Sequence, residues 1–185
     1  MCDIDLYEMN EFLKRYNQHF QEFSLRFERF KEIREQYQQT RDKKLLTDFH
    51  CYMDMLIVQI RSFCLEGESL NRKNYTVQHF LCKFGRSDLA DKINDFLDQP
   101  LYGNKDEDDS YLSIRKSIKF ASDKYICHHD KLSNFEFSQI DFILAHLSNP
   151  CFSNNLDAII SEISECLLEA HKQFLCHALQ TSKKD

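Results

Sequence analysis

The chain has 185 residues, among them 16 Phe and 8 Tyr but only 3 Gly and 2 Pro. A chain of this length can form one domain with a sizeable core. So few glycines and prolines leave few tight turns, which argues against a β-sandwich, a barrel or a glycine-rich phosphate loop and favours long helices. The net charge of −6 gives no reason to expect a generally basic, nucleic-acid-binding surface but leaves room for a local basic groove.

The eight cysteines are scattered without a C-x-x-C pair, and most stand beside Phe, Leu or Ile. This pattern predicts reduced thiols that pack in the core, as in cytoplasmic proteins. The N-terminal segment is acidic and polar, unlike a signal peptide, and no apolar run approaches the length of a membrane span. We therefore expect a cytoplasmic chain with a single domain over residues 1–185, of which 182–185 form a frayed tail.

Two long amphipathic helices are predicted in the first third of the chain. Apolar residues recur at alternating spacings of three and four over 4–39, which favours a bundle core or a dimer seam over a cofactor site. A second apolar face covers 41–66, with Gly67 as its stop signal. Arg34 interrupts the first face. Arg61 lies beside the second, where it either extends towards water or points into a polar pocket.

Shorter helices are predicted from their capping signals, because Ser and Thr side chains accept hydrogen bonds from the N–H groups of a helix's first turn. The expected caps are Thr76 for 77–84, which Gly85 ends, Ser87 for 88–98, Ser133 with Glu136 as a capping box for the next helix, and Ser153 for the last. Between them, residues 101–109 are predicted to form a loop whose acidic run, 106–109, is solvated. Another helix is expected to begin near Ser110 and to end near 127–130.

The segment from Arg115 to Lys131 is locally basic within this acidic chain, and two histidines, His128 and His129, stand where its helix should end. Histidine near a helix C-terminus often only stabilises the helix dipole. It also titrates near neutral pH, as proton transfer in catalysis requires. The surrounding string Asp-Lys-Tyr-Ile-Cys-His-His-Asp favours a functional site over a simple helix end.

A metal site is the less favoured interpretation of the same string. The four adjacent residues 127–130 cannot all face one ion from a helix, and structural zinc sites use separated pairs of ligands. The second group of Cys and His residues, within 166–177, is too irregular in helical phase to converge on one ion. We therefore expect neither a metal nor another cofactor.

Residues 122–130, Ser-Asp-Lys-Tyr-Ile-Cys-His-His-Asp, resemble the signature of HEPN domains. One abortive-infection subfamily has Arg-Asp-Lys, two bulky residues, a small residue, then His and a nearby Asp. A weaker likeness extends upstream to a long first helix, a second helix that carries Arg61, and a short capped helix. The resemblance implies an all-α fold: a HEPN-like helical bundle with two long antiparallel helices plus shorter helices.

The resemblance also implies a mechanism and a partner. Two HEPN protomers usually pair so that both motifs line one cleft, where RNA is cleaved without a metal: His serves as acid or base, and Arg stabilises the charged phosphorane. This chain departs from the pattern because Ser122 stands where the family has its Arg. Lys124, Arg115 and Arg61 are the candidates to replace that cation, although Lys is a poorer bidentate phosphate partner than Arg.

Two functions are left open by these residues. The first is an RNA-directed role in bacterial defence or toxin–antitoxin biology, as a metal-independent endoribonuclease with an antitoxin protein as a further partner. The second, which Ser122 favours, is a catalytically inactive dimeric module that binds RNA, a nucleotide or a protein. The candidate catalytic residues are His128, His129, Asp123 and Lys124, and the candidate substrate contacts are Arg115, Lys119, Arg61 and Asp130.

Overall fold

The computed structural model describes residues 6–65, 76–102, 112–127 and 132–181, which are mostly helical. The helices are α1 (Leu6–Thr40), α2 (Lys43–Cys64), α3 (Val77–Lys83), α4 (Ser87–Leu97), α5 (Ile114–Ala121), α6 (Asn134–Ser148) and α7 (Leu156–Thr181). A π-helical turn, Ser122–Cys127, continues α5, and a small antiparallel ribbon is formed by β1 (Pro100–Tyr102) and β2 (Leu112–Ser113). None of the described helices combines the length and the apolar character needed to cross a lipid bilayer.

The chain divides into two compact units, Met1–Ile60 and Arg61–Asp185, with the boundary inside α2. In the first unit only two residues separate α1 from α2, and the two helices contact each other through aromatic rings. The ring of Phe30 stacks on that of Phe49 with 5.1 Å between centroids. Arg34, which interrupts the apolar pattern, is buried, and its guanidinium carbon lies 5.3 Å from the centroid of the Phe30 ring. The cation is therefore accommodated by an aromatic face.

The second unit is organised around α5, which contacts α4, α6 and both strands of the ribbon. Ile114, Ile118 and Ala121 on α5 are fully buried, and they recur at the spacing that places them on one helix face. Burial of this face prevents α5 from rotating about its axis. It therefore determines which way the π-helical turn that follows α5 points.

Local capping signals predicted two of these helices closely. The Thr76 hydroxyl accepts the His79 N–H at 3.2 Å and caps α3. At the start of α6, Ser133 Oγ accepts the Glu136 N–H at 3.2 Å while the Glu136 carboxylate accepts the Ser133 N–H at 2.9 Å. This reciprocal pair is the predicted capping box. Asn149 and Pro150 end α6 as expected, with Asn149 at the C-cap.

Three other helix starts were predicted wrongly. Ser87 is the first residue of α4 and not its cap. Asn155, not Ser153, caps α7, since its Oδ1 accepts the Ala158 N–H at 2.9 Å. The helix expected from Ser110 starts at Ile114 and is capped by Ser113, because residues before it pair in the ribbon instead. The ribbon also replaces the start of the predicted 101–109 loop.

The expectation that the cysteines are buried is wrong for three of the five that the structure describes. Cys51, Cys82 and Cys151 are exposed, whereas Cys64 and Cys166 are buried, and none of the five is in a disulfide. Burial raises the pKa of Cys64 to about 12 and that of Cys166 to about 11, so both buried thiols are protonated at neutral pH. The predicted stop at Gly67, the acidic run 106–109 and the tail 182–185 lie outside the described residues.

Gly85 ends α3 in a Schellman motif. Its φ is +73°, its N–H donates to the Cys82 carbonyl at 3.0 Å, and the next N–H, of Arg86, donates to the Leu81 carbonyl at 2.8 Å. A Cβ at this position would meet nothing within 4 Å, so only backbone conformation disfavours a side chain here. We expect Gly85→Ala to lower the free energy of unfolding by about 1 kcal/mol, measured by urea denaturation.

The matched control for this prediction is Gly85→Asn, because Asn tolerates the left-handed conformation better than Ala does. Its loss of stability should be smaller than that of the Ala variant. Equal losses in the two variants would show that the cost does not come from the positive φ.

Candidate functional site

The predicted site begins at the π-helical turn that follows α5. Such turns are rare in proteins, and those that do occur are frequently found at functional sites. Its first residue, Ser122, is fully buried (0% exposed), although it belongs to a polar string. The N–H of Ser122 still donates to the Ile118 and Lys119 carbonyls of α5, so its backbone position is determined by that helix.

Arg61 reaches this turn from the last turn of α2. Its Nη1 donates to Ser122 Oγ at 3.0 Å and forms an ion pair with Asp123 Oδ1. Arg61 therefore contacts the first two side chains of the turn. Among the described residues, no acceptor lies within hydrogen-bonding distance of its Nε or Nη2.

The Arg61–Asp123 pair is only partly removed from water. The side chain of Arg61 is 24% exposed and that of Asp123 is 42% exposed. Partial burial strengthens the field of a cation relative to a fully solvated one, and the neighbouring carboxylate offsets much of that field. The Arg61 side chain therefore remains partly accessible to solvent.

Arg115 contacts α4. Its Nε donates to Asp98 Oδ1 at 2.7 Å and its Nη2 donates to Asn94 Oδ1 at 3.0 Å. The Arg115 side chain is largely buried. These bonds join the start of α5 to the end of α4, which favours a structural role for Arg115 over a phosphate contact.

The two lysines of the predicted site lie on α5 and on the turn. Lys124 Nζ is 3.8 Å from Glu136 Oε1, a distance that joins the turn to the first turn of α6. The pKa of Glu136 is lowered, first by hydrogen bonds from the backbone and hydroxyl of Ser133 and then, to a smaller extent, by Lys124. Lys119, one turn before Asp123 on α5, is partly exposed. Lys124 therefore directly follows Asp123 in the sequence, but its ammonium group pairs with the Glu136 carboxylate.

The remaining predicted residues, His128, His129 and Asp130, lie outside the described residues. His128 directly follows the last residue of the π-helical turn in sequence. Within the described part of the chain, no three Cys, His, Asp or Glu side chains come close enough together to hold a metal ion.

A buried polar cluster surrounds Gln78 and was not predicted from the sequence. The Gln78 side chain donates from Nε2 to the Cys64 carbonyl at 3.0 Å and to Asn94 Oδ1 at 3.2 Å. Asn94 Oδ1 also accepts from Arg115, so the amides of Gln78 and Asn94 together join the end of α2 to α3, α4 and α5. The available signal was a single amide within the apolar face of α3, next to Val77. This cluster connects the last residue of α2, the helix that carries Arg61, to α3 and α4.

The chain matches no protein-family model, no curated protein and no solved structure. The likeness to HEPN domains therefore rests on residues 122–130 and on the weaker likeness upstream. Independently of that likeness, the structure places Arg61 in contact with the first two residues of this string.

Proposed function

We propose that this chain is a HEPN-like, RNA-directed protein of the bacterial defence or toxin–antitoxin type, in which Arg61 replaces the Arg that the motif lacks at Ser122. The observation that carries the proposal is the contact of Arg61 Nη1 with both Ser122 Oγ and Asp123. An Arg at position 122 would extend its guanidinium from the turn. Here the guanidinium arrives from α2 and meets the side chain at that same position.

The proposed reaction is a metal-independent cleavage of RNA. The ribose 2′-oxygen forms a bond to the adjacent phosphorus, and the bond from phosphorus to the 5′-oxygen breaks, which leaves a 2′,3′-cyclic phosphate and a 5′-hydroxyl. His128 takes the 2′ proton or returns a proton to the leaving oxygen, and His129 is the second candidate for this work. The Arg61 guanidinium offers paired N–H donors to the phosphate oxygens on which negative charge develops.

A specific observation favours a second candidate, the catalytically inactive binding module. Asp123 already pairs with Arg61, so the cation is partly neutralised before any phosphate arrives. In this case the pair would stabilise the turn, and the same surface would bind RNA, a nucleotide or a protein without cleaving it. Homodimerisation and an antitoxin partner belong to either candidate.

The experiment that separates the two candidates is cleavage of a mixed RNA pool in the presence of a chelator. We expect the wild-type protein to produce fragments with 2′,3′-cyclic phosphate ends, and His128→Ala to reduce the rate by about 100-fold or more, as the loss of a general acid or base does. His79→Ala is the matched control, since His79 is exposed on α3 and is not part of the motif. Its rate should equal that of the wild type.

Other outcomes of this experiment distinguish the candidates. A folded wild-type protein that binds the RNA pool without cleaving it would support the binding module. A folded protein that neither binds nor cleaves RNA would contradict an RNA-directed function altogether.

A further inference from the structure

A row of aromatic side chains runs along one face of α6 and continues into the loop after it. Phe135, Phe142 and His146 are separated by seven and four residues, which places them on one helix face. Phe135 is 76% exposed, Phe142 is 46% exposed and Phe152, in the loop, is 41% exposed. The opposite side of α6 carries the buried residues, so these aromatic rings do not belong to the core of the second unit. We call these four residues the aromatic row.

The far end of the aromatic row is already stacked. The rings of His146 and Phe152 are nearly parallel, with 3.8 Å between centroids and 8° between planes, and Phe142 lies 5.6 Å from His146. Burial lowers the pKa of His146, so its imidazole is neutral at pH 7. The row is therefore an uncharged series of partly exposed flat rings.

The near end of the aromatic row adjoins the candidate site. Phe135 precedes Glu136, whose carboxylate lies 3.8 Å from Lys124 Nζ, and Lys124 follows Asp123, the partner of Arg61. The cations and the first ring of the row are thus joined by directly contacting or adjacent residues. Cationic side chains at one end and stackable rings beyond them match the chemistry of a nucleic-acid strand with unpaired bases.

The exposed area of the row argues that a nucleic-acid strand, and not a second copy of this chain, binds there. A Phe side chain offers about 150–250 Å² of surface, so the exposed parts of these rings amount to roughly 300 Å². A stable protein interface needs about 800 Å² from each partner. Bases in a duplex are stacked on one another, and RNA-binding proteins that use aromatic rings take unpaired bases.

We propose that the aromatic row is a stacking platform for the unpaired bases of single-stranded RNA whose phosphates lie at Arg61 and Lys124. The inference rests on the proposed function and deepens it, since it specifies single-stranded over duplex RNA. Stacking on a ring is tolerant of sequence, so the platform selects strandedness and not a particular base.

The test compares Phe→Leu variants, because leucine keeps the apolar character and removes the aromatic face. Binding of a short fluorescein-labelled oligoadenylate, and of a duplex of the same length, is measured by fluorescence anisotropy. We expect the wild-type protein to prefer the single strand, and Phe135→Leu to weaken its binding by about 10-fold, within the range for losing one stacked base. Phe142→Leu should weaken it similarly.

The matched control is Phe137→Leu. Phe137 is 51% exposed on the same helix but lies off the row, so its replacement should leave the affinity unchanged. Phe135 is so exposed that its substitution should not unfold the protein, and a thermal melt of each variant checks this. Equal weakening by Phe137→Leu would mean that the effect is not specific to the row, which would overturn the proposal.

Arg61→Gln separates failure of this inference from failure of the proposed function. If Arg61→Gln weakens binding of the single strand and Phe135→Leu does not, the platform is wrong while the RNA-directed function stands. If the wild-type protein binds neither RNA, both are wrong. If Phe135→Glu dissociates a dimer in sedimentation and leaves RNA affinity unchanged, the row is an interface between two copies, and the platform is again overturned.

Discussion

Replacing Arg61 by Met should reduce RNA cleavage by about 10²–10³-fold, the usual loss when one preorganised donor to a developing oxyanion is removed. Met keeps most of the length and apolar surface of the side chain while removing its charge and its N–H donors. The loss should appear in kcat more than in KM, because the phosphate gains negative charge in the transition state. Arg61→Lys should retain part of the rate, since Lys supplies the charge without the paired donors.

The readouts for Arg61 are chosen to distinguish a phosphate contact from a structural ion pair. Asp123 is 42% exposed, so it can be hydrated when its partner is removed, and we expect only a small change in Tm for Arg61→Met. Arg29→Met is the matched control, because Arg29 pairs with Glu32 at 2.8 Å on the surface of α1. Its rate and its Tm should both be close to those of the wild type.

An opposite pattern in these variants would contradict the role given to Arg61. A large fall in Tm with an unchanged rate for the surviving folded protein would show that Arg61 holds the turn and does not act on the substrate. That result would favour the inactive binding module as the function of this chain.

Introducing at position 122 the Arg of the HEPN signature that this chain resembles should destabilise the protein and should not raise the rate of RNA cleavage above that of the wild type. Ser122 is fully buried, and the guanidinium of Arg61 is bonded to its hydroxyl at 3.0 Å. A second guanidinium at this place would lack room and would bring two like charges together in a partly desolvated site. We expect Ser122→Arg to lower the free energy of unfolding by about 3–5 kcal/mol, as an uncompensated buried charge does.

A double-mutant cycle tests whether side chains at positions 61 and 122 compete for the same space. The double variant Arg61→Ser, Ser122→Arg keeps one guanidinium at this place but attaches it to the turn and not to α2. We therefore expect the double variant to be more stable than Ser122→Arg alone. Urea denaturation of the two single variants and the double variant should yield a favourable coupling energy of about 1–3 kcal/mol. Ser138→Arg, at an exposed position on α6, is the control and should change stability little.

Two results would contradict the expectation for Ser122. Wild-type stability of Ser122→Arg would show that the turn opens easily enough to admit a long side chain. Additive effects in the double variant would show that Arg61 and Ser122 do not compete for the same space.

The sequence alone determined those features that depend on neighbours a few residues apart. The capping box of Ser133 and Glu136 and the stop at Gly85 are closed by bonds within three to five residues, so they follow from residue type and spacing. The apolar periodicity likewise predicted α1 and α2 to within about two residues at each end. Where two neighbouring polar residues compete to cap a helix, as Ser153 and Asn155 do before α7, spacing could not choose between them.

Only the tertiary structure decided the features that depend on distant parts of the chain. The ribbon joins Pro100 to Ser113, and its pairing delays the start of α5. Whether a cysteine beside apolar residues is buried depends on which face its helix presents to the rest of the fold, which is why Cys82 is exposed and Cys64 is not. The contact of Arg61 with Ser122 spans 61 residues, so the motif alone could not show that this cation, and not Arg115 or Lys124, is bonded to Ser122. Packing of the helix ends brings that cation to the turn.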